Sequence, residues 1–362
     1  MKRPPYSLLL GSFLCLTLAP SKARSYGEGT GAGPSLEERA VHLFSDRLRV
    51  DPDATDSSFS DFPAVRPLVY NPDLAEAARF HAEDMAVNDC FQHQSCDGTE
   101  FAARLQRFYE GIAFGENIAL GSPDAETVVF DGWLYSPPHR DNMLLPDWRE
   151  LGIGFAVNDI GQPLWVQNFG DRVEVDEPIT TSATHWPLRG SLNQALDFYL
   201  AIYDPQGAPQ GAELHLHDQV LEMNLDRGSD GMETWTVQSE LVDEGCPEYF
   251  FVVTRETGET VSYPSSGSLT VPIDDAECEP WTETRKATAE TATGCPASGQ
   301  ESRVSGRGCA SSPDDAAGPG ENLDRGDDYA SCAVVPGSQG GNWTLVLAGW
   351  VLMQRRRRGQ GR

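Results

Sequence analysis

Phe91-Gln92-His93-Gln94-Ser95, Gly115-Glu116-Asn117-Ile118-Ala119 and Trp133-Leu134-Tyr135-Ser136-Pro137-Pro138-His139-Arg140-Asp141-Asn142-Met143-Leu144 are followed by Leu151-Gly152-Ile153-Gly154 and Trp165-Val166-Gln167-Asn168-Phe169-Gly170. The first three blocks deliver two imidazoles and a carboxylate, His93, Glu116 and His139. That is the ligand set of an open zinc site with a fourth position left for water. The same groups can serve as a general acid–base set. No G-x-S-x-G, H-E-x-x-H or free Cys–His pair accompanies them. Ser95 and Ser136 lie beside the histidines, but turns and caps account for both.

The flanking sequence places these blocks on helices around a small sheet. Ser35 and Glu38 form a capping box ahead of Ala40, Val41 and Leu43. Asn71-Pro72 opens a second helix, with Asn as cap and Pro at its first position. Leu74, Ala78, His81 and Met85 make its apolar stripe, which makes His81 a core histidine. Ser122 is read as the cap of a further helix with Ala125, Val128, Val129, Gly132 and Trp133 on one side. Two strands follow, 151–157 and 164–169, joined by a turn containing Asn158, Asp159 and Gly161. Trp133 and Trp165 are read as core, and Asn142 as a bracket for backbone.

The five blocks, in this order, resemble the CAP superfamily: cysteine-rich secretory proteins, antigen 5 proteins and plant pathogenesis-related proteins. The match is to the compact bacterial form over about residues 36–170. The resemblance implies an α+β fold, an α-β-α sandwich, whose cleft holds two His and acidic side chains and in some members a divalent metal. Carried over by motif, the cleft residues are His93, Glu116 and His139. The fourth group is Glu150 or Glu100. Cys90 and Cys96 bracket His93, and a bridge between them would stiffen the loop that presents it.

Beyond residue 172 the pattern changes. Runs at 198–203, 213–217, 235–240, 249–254 and 260–263, separated by turn clusters, suggest a small all-β sandwich over 185–275. His215 and His217 are read as an exposed polar strand face. Asp226 and Asp230, around Gly228, lack the further ligands of a calcium site. Residues 279–331 carry almost no large apolar side chain and are expected to be a disordered acidic stalk. Residues 1–23 have the charged start, short apolar run and small-residue cleavage site of a signal peptide. Residues 332–362 place Cys332 before a short apolar segment and four arginines. This resembles MYXO-CTERM, the C-terminal sorting tail of myxobacterial surface proteins, and implies anchoring at the outer envelope. The alternative is a transmembrane stop with no processing.

Of the eight cysteines, setting aside Cys15 in the leader and Cys332 in the tail leaves six. Six allow fifteen pairings. Nearest neighbours, Cys90–Cys96, Cys246–Cys278 and Cys295–Cys309, each fall within one segment. The formal net charge is −28. Setting aside the eight basic residues of the two ends (Lys2, Arg3, Lys22, Arg355 to Arg358 and Arg362) gives a body of −36, which would repel a nucleic-acid backbone. The expectation is a secreted, surface-anchored binding module. Its cleft would hold a divalent metal such as zinc and meet a lipid, a polysaccharide or another surface protein. The alternative is a metal-dependent hydrolase of peptide or wall material with Glu116 as base.

Overall fold

The strands on either side of Asn158-Gly161 form the centre of a four-stranded sheet, and the rest of the first region is arranged on its two faces. A computed structural model describes residues 33–172, 175, 178–283 and 285. The expected leader, the Cys295–Cys309 pair, the rest of the expected 279–331 stalk and the tail with Cys332 lie outside the described residues; the start of that stalk is not disordered, since Trp281–Thr282 pairs as a strand with Ser268 and Leu269.

The sheet has the order β1 (Val69–Tyr70), β3 (Glu150–Val157), β4 (Pro163–Asp171), β2 (Ala113–Leu120). Only β1 runs parallel to its neighbour. Side chains alternate across it, as strand geometry requires. Glu150, Gly152 and Gly154 face α3 (Pro72–Asn88), whereas Leu151, Ile153, Trp165 and Phe169 join the core with α1 (Leu36–Val50). The register places Glu116 opposite Asn168 and Asn168 opposite Gly152. α3 begins as its sequence predicts: Asn71 accepts from the amides of Asp73 and Leu74, both at 2.9 Å, and Pro72 opens the helix. Its stripe of Leu74, Ala78, His81 and Met85 is buried. The Ser35–Glu38 capping box of α1 also forms.

The connection after α1 contains α2 (Pro52–Thr55) and a single 3-10 turn, Ser57–Phe59. α4 (Phe101–Leu105) and α5 (Pro137–Met143) are short. The segment expected as a helix capped by Ser122 differs in two respects. Asp124 is the cap, its carboxylate accepting from Thr127 N at 2.8 Å. Thr127–Trp133 is a π-helix, closed by Leu134 N to Val129 O at 3.0 Å. Ala125, Val128, Val129 and Trp133 are buried as expected, but Gly132 is exposed. Ser122 instead offers its carbonyl to Trp165 Nε1 at 2.9 Å.

Two further sheets follow. The first has the order β5 (Thr180–Trp186), β6 (Ala195–Tyr203), β10 (Met232–Glu240), β9 (Asn224–Ser229). The second has the order β14 (Trp281–Thr282), β13 (Ser268–Thr270), β11 (Glu248–Thr254), β7 (Gly211–Leu216), β8 (Gln219–Glu222), with β12 (Thr260–Tyr263) also on β11. Phe198, Leu200 and Ile202 of β6 pack against Leu214, Phe251 and Val253 across the gap. The molecule is thus of mixed helix and sheet, the α+β class.

α1 has a second neighbour that its sequence does not announce. Twelve of its fifteen residues are buried, more than one amphipathic face can hold. Its other side meets β5 and β6. Phe44 packs edge-on to Trp186 at 5.1 Å, and Arg47 lies 4.2 Å over the Tyr199 ring. Asp46 accepts from Ser182 Oγ at 2.6 Å and from Thr181 Oγ1 at 3.1 Å. Arg47 also forks onto Asp226 at 2.9 and 3.1 Å, so that carboxylate is a structural tie.

His185 of β5 is fully buried between two partners. Its Nε2–H donates to Leu188 O at 3.0 Å, and Tyr249 Oη bonds Nδ1 at 2.8 Å. Burial, then the nearby Arg39, push its pKa down to about 3. A histidine in the unfolded chain protonates near 6.5. Between those values the unfolded state holds the extra proton, so this group lowers stability as pH falls from about 6.5 toward 3. The urea midpoint is expected to drop from about pH 7 to pH 4. The drop should be smaller in His185→Gln, whose amide can make both hydrogen bonds. Equal slopes in the two proteins would refute the assignment.

Candidate functional site

β2 is the edge of the first sheet, and an edge strand leaves carbonyls without ladder partners. Two side chains cover them. Asn142 Nδ2 donates to Glu116 O at 3.2 Å, and Trp133 Nε1 donates to Ile118 O at 3.3 Å. Asn142 also donates to Asn117 Oδ1 at 3.1 Å, and Asn117 Nδ2 donates to His139 O at 3.1 Å. These bonds lace α5 along the edge and carry His139 with it. Asn142 is therefore the bracket its sequence position suggests.

His93 arrives from the opposite side. α3 ends at Asp89 in the left-handed conformation, φ 51°. The following loop is closed by the Cys90–Cys96 disulfide and anchored by Cys96 N to Asp84 Oδ2 at 2.8 Å. His93 then donates from Nδ1 to Glu116 Oε1 at 2.9 Å. The second expected bridge, Cys246–Cys278, is also formed.

Glu116 is buried on the α3 face of β2, and both its oxygens are occupied. Oε1 takes His93, and Oε2 takes a short hydrogen bond from Arg104 Nη2. The other guanidinium nitrogen, Nη1, donates to His93 O at 2.7 Å. Asn168, with its amide oriented to satisfy both ends, donates to Glu116 Oε2 at 3.2 Å and accepts from Ala78 N at 3.1 Å. His81 lies below, fully buried, with Nε2–H donating to Gln92 O at 2.9 Å and Nε2 3.9 Å from Glu116 Oε1. Its Nδ1 is buried with no hydrogen-bond partner. Burial, the largest influence, holds the His81 pKa below its usual value. His81 is thus a core histidine with one nitrogen unsatisfied.

His139 sits at the third position of α5. Ser136 is the N-cap, but Pro137 and Pro138 remove the first two amide donors, and its hydroxyl bonds His139 Nδ1 at 2.8 Å instead of the backbone. Burial, then the nearby His93, hold the His139 pKa down to about 4, so this imidazole is neutral at pH 7. The structure therefore brings His93 and Glu116 into direct contact and carries His139 on α5 along the same strand, β2, through Asn117 Nδ2 and His139 O. Among the described residues, no group of three or more His, Cys, Asp or Glu side chains is disposed to hold a metal ion.

Neither candidate for the fourth group joins them. Glu150 is fully buried and serves as a bracket: it accepts from Asn71 Nδ2 at 2.7 Å, Arg172 Nη2 at 2.6 Å and Tyr109 Oη at 2.7 Å. Glu100 is exposed at the N-cap of α4 and caps nothing with its side chain. The group that completes the cluster is a cation, Arg104. A single arginine on a five-residue helix carries no periodic signal, so its role is invisible before folding. His215, expected on an exposed face, is instead stacked on Phe250 at 4.5 Å and held by Glu213 at 3.2 Å. His217 lies beyond the end of that strand, in a left-handed turn. No helix among the described residues is long and apolar enough to cross a membrane.

Over 108 residues the chain is 32% identical to the YkwD protein of Bacillus subtilis (strain 168), covering 29% of this chain and 40% of that protein. Over 106 residues it is 35% identical to the membrane protein YlbC of the same strain, covering 28% of each. The chain thus spans less than half the length of these curated relatives. Similar solved structures include an extracellular protein containing a SCP domain from Bacillus anthracis str. Ames, with 28% identity, a TM-score of 0.29 and coverage of 40% of this chain and 45% of that one. An outer surface protein from Borrelia burgdorferi is 20% identical with a TM-score of 0.31, covering 36% and 90% respectively. Residues 64–169, the stretch that carries His93, Arg104, Glu116 and His139, match CAP, the cysteine-rich secretory protein family.

Proposed function

We propose that this chain is an exported, envelope-attached binding module whose His93–His139 pair accepts a divalent metal such as zinc at the β2 edge. The ligand that meets this cleft is a lipid, a polysaccharide or another surface protein. The observation that carries the reading is the state of Glu116. A general base needs a free oxygen within reach of the proton it takes, and both Glu116 oxygens are engaged by His93 and Arg104. That disfavours the hydrolase in which Glu116 activates water. It leaves two imidazoles as metal donors, with Glu116 orienting one of them.

The donor set fits such an ion. Imidazole binds metal in its neutral form, and His139 is neutral above about pH 4. Two protein donors leave coordination positions for a ligand, and the ion would bring positive charge to a strongly acidic body. Export is supported by the disulfides Cys90–Cys96 and Cys246–Cys278 and by the leader-like first 23 residues. Attachment through Cys332 rests on the tail sequence alone.

Calorimetric titration of zinc into the full chain tests the site. His93→Ala/His139→Ala is expected to weaken binding at least about tenfold; identical binding refutes it. A peptide or peptidoglycan panel tests the alternative. Turnover that vanishes in Glu116→Gln would favour the hydrolase.

A further inference from the structure

We infer that Arg104 is the positioning residue of this site, fixing which nitrogen of His93 faces a metal ion. The inference rests on the proposed metal reading of His93 and His139. Arg104 is fully buried, its guanidinium 5.5 Å over the Phe101 ring. It holds one residue by two routes. Nη1 donates to the carbonyl of His93 at 2.7 Å, and Nη2 holds Glu116 Oε2 while Glu116 Oε1 accepts from His93 Nδ1 at 2.9 Å. The three residues form a closed ring of hydrogen bonds that sets both the backbone and the imidazole of His93.

With its proton on Nδ1 and facing Glu116, the His93 ring presents its lone pair at Nε2. A second-partner carboxylate of this kind fixes the tautomer of a metal-binding histidine. The planar fork of a guanidinium reaches two acceptors in divergent directions; the ammonium of lysine is a point charge on a flexible stem and does not reproduce that geometry. The loop itself is closed independently by Cys90–Cys96 and by Cys96 N on Asp84. Loss of the fork should therefore misorient His93 without releasing the loop.

The test uses the full chain labelled with ¹⁵N-histidine, metal-free, near pH 7.5. Long-range ¹⁵N correlation reads the tautomer of each histidine, and calorimetry reads zinc affinity. In the wild type His93 is expected as the Nδ1–H tautomer. In Arg104→Lys a mixture of tautomers should appear at His93 alone, with zinc affinity roughly 10–100-fold lower. A wild-type tautomer and wild-type affinity in Arg104→Lys overturn the inference. Should that variant not fold, Glu116→Gln decides: its amide cannot accept from both His93 and Arg104, so a mixture supports the ring and an unchanged Nδ1–H tautomer overturns it. Should His93→Ala/His139→Ala bind zinc like the wild type, the metal reading fails. The tautomer at His93 in Arg104→Lys still settles what Arg104 does.

Discussion

Alanine at Gly152 is expected to remove at least about 3 kcal/mol of stability, the upper end of what overpacking costs. A methyl group there would lie 2.1 Å from Ala75 N and 2.2 Å from Leu74 C, both backbone atoms of α3. Backbone cannot rotate away as a flexible side-chain end can, so the helix must lift from the sheet. Lifting α3 also disturbs Ala78, His81 and the start of the loop that presents His93. The melting temperature should fall by roughly 6–12 °C for a folded region of roughly 250 residues, and zinc binding should weaken with it. Gly211→Ala is the control: nothing lies within 4 Å of the added methyl, so its midpoint should stay within about 0.5 kcal/mol of wild type. Equal midpoints for the two variants would show that α3 does not rest on Gly152 as described.

Truncating Trp133 to alanine is expected to cost about 3–5 kcal/mol. The indole is among the largest fully buried side chains of the core between α1 and the first sheet. It also supplies the donor for Ile118 O on the β2 edge, and that carbonyl would lose its partner. Trp133→Phe weighs the two contributions, since it keeps most of the volume but cannot donate to Ile118 O. It should fall between wild type and alanine by chemical denaturation. An alanine variant as stable as wild type would mean the edge strand is held without this contact.

The parts of the fold that were legible are those settled by neighbours in sequence. Asn71-Pro72 starts a helix because an Asx side chain and a proline satisfy the same first turn whatever lies beyond it. Ser35 and Glu38 act within three residues of each other. The nearest-neighbour bridges at Cys90–Cys96 and Cys246–Cys278 follow the same logic of short separation. The segment ending at Trp133 shows where that logic stops. Its apolar spacing suits an α-helix, but the packed turn is a π-helix, a geometry set by where Trp133 and Leu134 must lie against β2 and the core. Ser122 reads as the cap in sequence, but the packed turn takes Asp124 instead.

The candidate site divides in the same way. His93, Glu116 and His139 could be named from motif alone, but what each does is a matter of partners far along the chain. Glu150 is equally acidic and equally close to a motif, yet three donors drawn from separate segments make it a bracket. Arg104 had no sequence signal and yet controls Glu116. The excess of acid argues against a phosphate-backbone partner but is silent about this buried cation.

By itself, then, the sequence determined the starts of α1 and α3, the strand pair around Asn158-Gly161 and the bridges Cys90–Cys96 and Cys246–Cys278. These depend on short-range geometry, which residue type and spacing encode directly. Only the tertiary structure decided that α1 is covered on both sides, that Glu116 is neutralised by Arg104 and that Glu150 is structural. Each of those depends on which donors meet which acceptors away from water, and burial makes such pairings compulsory without leaving a local trace in the chain.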